Sequence, residues 1–448
     1  MPDHPRAPLL APRNMLLVAL SLSIGWGVRG NWGHEYGALI PGALSALAVA
    51  IVAGSSCWRR QAAYFGFFGA LGWSFGGSMS YGKIIGMTLS GAAGEMAYGF
   101  LMLFVIGFLW GAVGGAGTVL AGRCRPRDLA DFFPPLLAVF SAWFVWEYLL
   151  LPLLPAGSED LLNWFDTDWV GVTILLIALL GYSAAARKWN DAHSLMLWMA
   201  LGWWAAFLVL VAALDLHMTP PRSDNWAGSL GMTAAMAAWL LRRKMRDVAR
   251  ASLVAGAFAG SGFAIGGAVQ ALGRSTGVAA NWWSLMEQSF GFISGIGIAV
   301  AMARIQPPAN GKLDNAPRWT TGAAVAFLLL VMTYVNVAKN IEVVWKPNKI
   351  LPETICGLPA AWWFNAAYGL VAALVIALIW RHHRSGLTLV PSTALGRTQA
   401  LYVLVLWWIL LGNLSRLTPF HEARLVTEGV IHVNACLATW LALTVRDE

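Results

Sequence analysis

The stretch RGNWGHEYG, from Arg29 to Gly37, ends the first apolar segment of the chain and decides how the remainder is interpreted. Arg29 lies 16 residues after Arg13, the preceding basic residue, which corresponds to about 24 Å of helix against roughly 30 Å of hydrocarbon. A guanidinium at that depth is unfavourable, and irregular backbone there must be buried in protein or line a water-filled cavity. The three glycines of the stretch therefore predict a short or broken first helix beside a polar site.

The composition is that of a helical membrane protein. Of the 448 residues, 58% are hydrophobic and only 12% are charged, and the mean hydropathy is +0.62. These values leave too little polar surface for a soluble fold of this size, so we predict an all-α, polytopic integral membrane helical bundle. Fourteen apolar segments are predicted to be transmembrane helices: 15–28, 37–54, 62–82, 96–119, 133–151, 169–186, 195–214, 227–241, 252–272, 284–303, 320–338, 358–380, 398–415 and 429–445.

The basic residues divide unevenly between the two sides of this predicted topology. With a cytoplasmic N-terminus, the inner side holds 21 of the 30 Lys and Arg residues, as the positive-inside rule requires. We therefore predict an inner or plasma membrane protein with both termini cytoplasmic and residues 1–14 as a cytoplasmic tail. The pI near 9.5 reflects this asymmetry and not nucleic-acid binding, because no basic run is interleaved with aromatic residues outside the membrane loops.

Two glycine-rich stretches indicate an internal repeat with an offset of about 190 residues. GALGWSFGGSMSYGKIIG at 69–86 matches AGSGFAIGGAVQALGRSTG at 259–277, and further on Glu95 matches Glu287. Inside apolar spans such glycines favour close helix packing over a nucleotide-binding loop. Charged residues match at the same offset, so the high glycine content alone does not explain the repeat.

The opening motif recurs in the same pattern. Arg29, His34 and Glu35 have the same spacing as Arg416, His421 and Glu422, and a weaker copy begins at Arg222. Six predicted helices separate equivalent positions, so the copies keep the same orientation and form a parallel repeat. We predict a first repeat at 15–194, a second at 195–397, and a third copy of the opening helix pair at 398–448.

The candidate site residues are polar or aromatic side chains predicted to lie on the outer side or in the outer half of the membrane. Arginine could bind an anionic group through two hydrogen bonds, histidine and glutamate could relay protons, and indole rings could stack on a sugar or a cation. We predict substrate binding by Arg29, Trp32, Lys83, Arg222, Trp226, Arg274 and Arg416. We predict proton coupling or acid–base chemistry by His34, Glu35, Glu95, Glu147, Glu287, His421 and Glu422.

A structural role is the alternative for several of these residues. Lys83, Glu95, Arg274 and Glu287 could form salt bridges that only hold helix ends together, and an Arg29–Glu35 pair could do the same. The sequence contains no HExxH motif, Walker loop or dinucleotide fingerprint, and its four cysteines form no CxxC pair. We therefore expect no metal, cofactor or disulfide.

Two functions from different classes fit these features. The first is a secondary transporter or flippase for an anionic substrate, saccharide-bearing or lipid-linked, with an outward-facing polar cavity and coupling to protons or another ion. The alternative is a membrane-embedded transferase or hydrolase whose extracytoplasmic active site acts on a lipid-linked donor, with His34 or His421 as general base. Thick apolar packing on the cytoplasmic side of the site would favour the enzyme, and a thin gate of small residues at the repeat interface would favour the transporter. A receptor, an assembly factor or a purely structural membrane protein stays open as a third class.

Overall fold

The computed structural model describes residues 6–29, 37–76, 81–155, 157–158, 162, 164–187, 189–219, 225–308, 316–335, 352–414 and 422–446. This part of the chain is almost entirely helical, and its sheet content is one short hairpin in which Thr354–Ile355 pairs with Leu358–Pro359. Cys356 and Gly357 have positive φ angles, the left-handed conformation that a two-residue hairpin turn requires. The all-α class predicted from the composition is confirmed.

We number the longer helices in chain order. They are α1 (Pro12–Arg29), α2 (Leu39–Val52), α3 (Ala62–Gly76), α4 (Ala93–Arg123), α5 (Phe133–Val145), α6 (Trp169–Ala186), α7 (Asp191–Ala206), α8 (Asn225–Arg242), α9 (Arg246–Ser275), α10 (Trp282–Met302), α11 (Arg318–Ala326), α12 (Ala360–Ser385), α13 (Ala394–Leu414) and α14 (Glu422–Leu443). Helices α5, α7 and α11 continue as π-helical turns at Trp146–Leu150, Phe207–Ala213 and Phe327–Val331. Short α-helices lie at Arg6–Leu10, Ser56–Arg60, Gly82–Thr88 and Pro126–Ala130, with 3-10 turns at Leu151–Leu153 and Trp164–Asp166.

Nine of the described helices are long and apolar enough to cross a bilayer: α4, α5, α6, α7, α9, α10, α11, α12 and α13. The chain is therefore a multi-pass membrane protein. The other long helices coincide with predicted spans but are shorter or less apolar. All 14 residues of α2 are buried, as are the last 13 of α1, so these helices face protein and not lipid. The count of fourteen spans stays a prediction.

Six helices form a closed ring, which we call the helix ring. Helix α1 packs on α2, α2 on α3, α3 on α4, α4 on α9, α9 on α10, and α10 packs back on α1. Five of the largest buried side chains come from five different ring helices and meet inside it: Trp26, Trp73, Trp110, Phe263 and Phe290. The core of the protein is thus the aromatic interior of this ring.

Glycines bring the ring helices close together. A Cβ atom on Gly42 of α2 would lie 2.2 Å from the carbonyl oxygen of Gly69 on α3, and one on Gly111 of α4 would lie 2.2 Å from Cβ of Ala259 on α9. In the two repeated stretches, a Cβ on Gly72 would lie 2.9 Å from a backbone oxygen of α4, and one on Gly266 2.6 Å from a backbone oxygen of α10. The structure confirms that these glycines serve close helix packing.

The remaining helices lie outside the helix ring. Helices α5 and α6 pack on each other, as do α7 and α8, while α13 contacts α2 and α14 contacts α1. Helix α12 has no buried residue and packs mainly on α11. The ring combines four helices from the first predicted repeat with two from the second, and the repeat itself stays a prediction.

Candidate functional site

An ion pair buried inside the helix ring is the strongest candidate for a functional site. Arg29 is the last residue of α1 and Glu287 lies in the second turn of α10, so both lie at one end of the ring, which we call the Arg29 end. The guanidinium Nη1 donates to Glu287 Oε1 at 2.7 Å, and the two side chains are 2% and 1% exposed. Charges this deeply buried are strongly unfavourable unless they are paired, so each residue depends on the other.

Tyr81 and Trp283 complete the polar centre. The Tyr81 hydroxyl accepts a short hydrogen bond from Arg29 Nη1 and donates one to Glu287 Oε1. Trp283 lies one turn before Glu287, and its Nε1 donates to the same oxygen at 3.2 Å. Oε1 therefore receives three donors, whereas Oε2 is buried and has no hydrogen-bond partner among the described residues. Oε2 is the position at which a proton, or a donor group of a ligand, would be stabilised.

Aromatic rings surround the guanidinium. Its central carbon lies 5.0 Å from the centre of the Trp26 ring, 5.2 Å from that of Trp110 and 5.5 Å from that of Tyr81. At these distances the ring faces stabilise a cation. Trp26 comes from the turn of α1 before Arg29. Phe290 comes from the turn of α10 after Glu287, and the centre of its ring lies 4.6 Å from that of Trp26. The rings hold the guanidinium in place in a site of low dielectric.

Toward its opposite end, the interior of the helix ring is closed by apolar contacts. One stripe of α10 runs from the ion pair through Ser294 to Ile298, at helical spacing. A Cβ on Gly115 of α4 would lie 3.6 Å from Ile298 Cδ1, and one on Gly122 would lie 2.7 Å from Met302 Cε. Helices α10 and α4 thus contact each other across the ring, where side chains of α10 pack against glycines of α4.

Of the residues predicted from the sequence, the structure brings Arg29 and Glu287 together. Four others are exposed and form no ion pair with a described residue: Lys83, Glu95, Glu147 and Arg274. Glu95 lies in the first turn of α4 and Arg274 in the last turn of α9, where the helix dipole stabilises their charges. The repeat pairs Glu95 with Glu287, yet Glu95 is exposed and Glu287 is fully buried.

The other predicted residues contribute less to this centre. Trp226 is half-buried on α8, and its indole N–H has no partner among the described residues. The following lie outside the described part of the chain: Trp32, His34, Glu35, Arg222, Arg416, His421 and the side chain of Glu422. The Arg29–Glu35 clamp therefore stays untested, while Arg29 has Glu287 as an ion-pair partner.

Sequence reasoning missed the residues that surround the ion pair. Trp26 and Trp283 lie one helical turn from Arg29 and Glu287, so examining the one-turn neighbours of each buried charge would have found both. Tyr81 has no such signal, because it reaches the pair from a segment distant in sequence. Gln270 on α9 is fully buried, and neither its amide oxygen nor its nitrogen has a partner among the described residues.

Replacing Tyr81 with phenylalanine is expected to lower the free energy of unfolding by about 2 kcal/mol, because a buried hydroxyl bonded to two charged groups is lost. Thermal unfolding of the purified protein in micelles would measure the change. Tyr148→Phe is the matched control, since Tyr148 is 59% exposed. Equal stability of the two variants would mean that the Tyr81 hydroxyl does not support the ion pair.

Neither a metal site among the described residues nor a matching protein guides the assignment further. Among the described residues, no group of three His, Cys, Asp or Glu side chains could hold a metal ion. The sequence matches neither a protein-family model nor a curated protein, and the fold matches no solved structure. Function must therefore be inferred from the side chains of the site and their surroundings.

Proposed function

We propose that the protein is a secondary transporter or flippase for an anionic substrate, saccharide-bearing or lipid-linked, coupled to protons. The observation that carries this proposal is the Arg29–Glu287 pair, enclosed by aromatic rings inside the helix ring. Arginine binds phosphates and carboxylates through its planar fork, and Glu287 already presents it with a carboxylate. Glu287 therefore acts as an internal substitute for the substrate anion.

Charge balance in the buried site supports coupling to protons. If an anion replaced Glu287 at Arg29 while Glu287 stayed ionised, the site would hold an uncompensated negative charge at low dielectric, which is strongly unfavourable. Protonation of Glu287 removes that charge, and Oε2 is available for it among the described contacts. A monoanion therefore binds together with one proton. Exposed Lys83 and Arg274 would attract the anion from water.

Transport by reconstituted protein tests this proposal. Proteoliposomes would be assayed for uptake of inorganic phosphate, glucuronate, glucose 1-phosphate and farnesyl phosphate, with and without a proton gradient. We expect the gradient to accelerate uptake of at least one anion, Arg29→Met to abolish that uptake, and Arg29→Lys to retain part of it. Absence of uptake for all four anions, or uptake unchanged by Arg29→Met, would contradict the proposal.

The finer topology is part of the same proposal. We infer fourteen spans in a cell membrane, inner or plasma, with a parallel repeat and both termini cytoplasmic. The positive-inside distribution supports the orientation, and the coincidence of the predicted spans with α1 to α14 supports the count. In this topology the hairpin containing Cys356 is outside the cell.

An impermeant maleimide added to intact cells is expected to label the protein at Cys356, which is exposed in the hairpin turn. Cys124 is expected to stay unlabelled in intact cells, because this topology places it on the cytoplasmic side. It should also react slowly near neutral pH in inverted vesicles, because burial raises the pKa of its thiol to about 12 and leaves little thiolate. Mass spectrometry of the labelled protein would identify the site, with Cys356→Ser as control. Labelling of Cys356 only in inverted vesicles would mean that the orientation is reversed.

A membrane-embedded transferase or hydrolase is the second candidate. The observation that favours it is the thick apolar layer between the ion pair and the opposite end of the helix ring, where α10 touches α4. In this alternative the site opens only outward, Arg29 holds a phosphate leaving group, and His34 or His421 is the general base. The two candidates differ in whether the site ever becomes accessible from the cytoplasm.

A further inference from the structure

A groove on the outside of the helix ring lies apart from the ion pair. It has a volume of about 370 Å³ and lies between α14 and the neighbouring surfaces of α1, α9 and α10. Apolar side chains such as Ile265 and Val430, which are 49% and 39% exposed, form its walls. Apolar walls with a few polar groups are a lining that ligand sites commonly have.

Four polar side chains line this groove. The Ser23 hydroxyl donates to the backbone oxygen of Gln288 at 2.9 Å, and Gln288 Nε2 donates to Ser284 Oγ at 3.2 Å. Ser289 on α10 and Asn434 on α14 form no side-chain hydrogen bond with the described residues. The groove therefore contains two polar side chains that are available to an occupant.

The depth of Asn434 makes its free amide significant. Asn434 lies five residues after Gly429, where the apolar part of α14 and the predicted span 429–445 begin, about 7.5 Å of helix. It therefore lies inside this predicted span, where lipid chains offer no hydrogen-bond partner and an unpaired amide is unfavourable. An occupant that supplies a hydrogen-bonding group would remove this penalty.

We infer that the groove binds a neutral membrane amphiphile, a hydrocarbon chain that carries a hydroxyl or amide group. Its walls accept the chain, while Ser289 and Asn434 bind the polar group. Among the described residues, no charged side chain lines the groove, so a phosphate or carboxylate there would have none of them as a counter-charge. This site is distinct from the Arg29–Glu287 centre and does not depend on the transport proposal.

Binding of oleyl alcohol to the full-length protein in micelles tests the inference, with 1-octadecene and oleyl phosphate as matched competitors. We expect oleyl alcohol to bind at least about tenfold more tightly than either competitor, because only the alcohol combines a neutral hydrogen-bonding group with a chain. Asn434→Leu combined with Ser289→Ala should reduce its affinity about tenfold. Val433→Leu, at an exposed position of the same helix, should leave the affinity unchanged.

Three results would overturn the inference. Equal binding of octadecene would mean that the groove is an apolar crevice without polar recognition. Preference for oleyl phosphate would mean that a cation outside the groove selects the ligand. Unchanged affinity in the double variant would assign Ser289 and Asn434 to another role.

Discussion

Replacing Glu287 with leucine is expected to lower the free energy of unfolding by about 3–5 kcal/mol, because the guanidinium of Arg29 would remain buried without its carboxylate. Replacing Arg29 with methionine should also destabilise the protein, since Glu287 must then be buried either as a carboxylate without its counter-charge or as a protonated carboxyl. Stabilities measured by thermal or denaturant unfolding in micelles would show both losses.

The double variant Arg29→Met with Glu287→Leu distinguishes the ion pair from simple side-chain packing. It removes both charges together, so it should be more stable than either single variant, and close to the original protein. If the losses of the single variants were additive in the double variant, the two residues would not be coupled. A functional pair would nevertheless lose transport in the double variant, whatever its stability.

Gly42→Val is expected to destabilise the protein by about 3 kcal/mol or more, and to reduce the yield of folded protein. The new side chain would begin 2.2 Å from the carbonyl oxygen of Gly69, and backbone cannot move aside as a flexible side chain can. Helices α2 and α3 would have to separate, which opens the helix ring. Size-exclusion profiles and unfolding in micelles would measure the effect.

Gly181→Ala is the matched control for that variant. Gly181 lies within α6, and no atom lies within 4 Å of the Cβ that alanine would add. Alanine is the better helix former, so we expect unchanged stability or a gain of about 0.5–1 kcal/mol. If Gly42→Val were tolerated as well as Gly181→Ala, the close contact between α2 and α3 would not be required for folding.

The sequence predicted where the helices lie far better than how they pack. Apolar runs are local signals, and every predicted span falls on one of the helices α1 to α14. Hydropathy cannot separate a helix buried in protein from one exposed to lipid, because both environments are apolar. Helices α2 and α12 were therefore predicted alike, although α2 is fully buried and α12 has no buried residue.

Only part of the candidate site was predicted, because the signals in the sequence are local. The depths of Arg29 and Glu287 can be estimated from the distance to neighbouring basic residues, and both are buried in the structure. Their pairing across 258 positions depends on α10 packing against α1, which no local pattern encodes. Tyr81 was missed because its role depends on the direction in which its hydroxyl points.

Accessibility of a cysteine at Ser294 tests the central claim, that the ion pair is the centre of an alternating-access transporter. Ser294 is buried on the inward stripe of α10, about two turns from Glu287 toward the opposite end of the helix ring. The Ser294→Cys variant, without the four native cysteines, would be probed with an impermeant maleimide from each side of the membrane. Lys83→Cys, at an exposed position of the Arg29 end, serves as the control.

The transport account predicts labelling of this cysteine from the cytoplasmic side. Labelling should become faster when Glu287→Gln imitates the protonated carboxyl and frees Arg29, and slower when a transported anion is present. If the control cysteine reacts from outside while the cysteine at Ser294 resists labelling from the cytoplasm in both backgrounds, the site does not alternate. That result would contradict transport and favour an outward-facing enzyme.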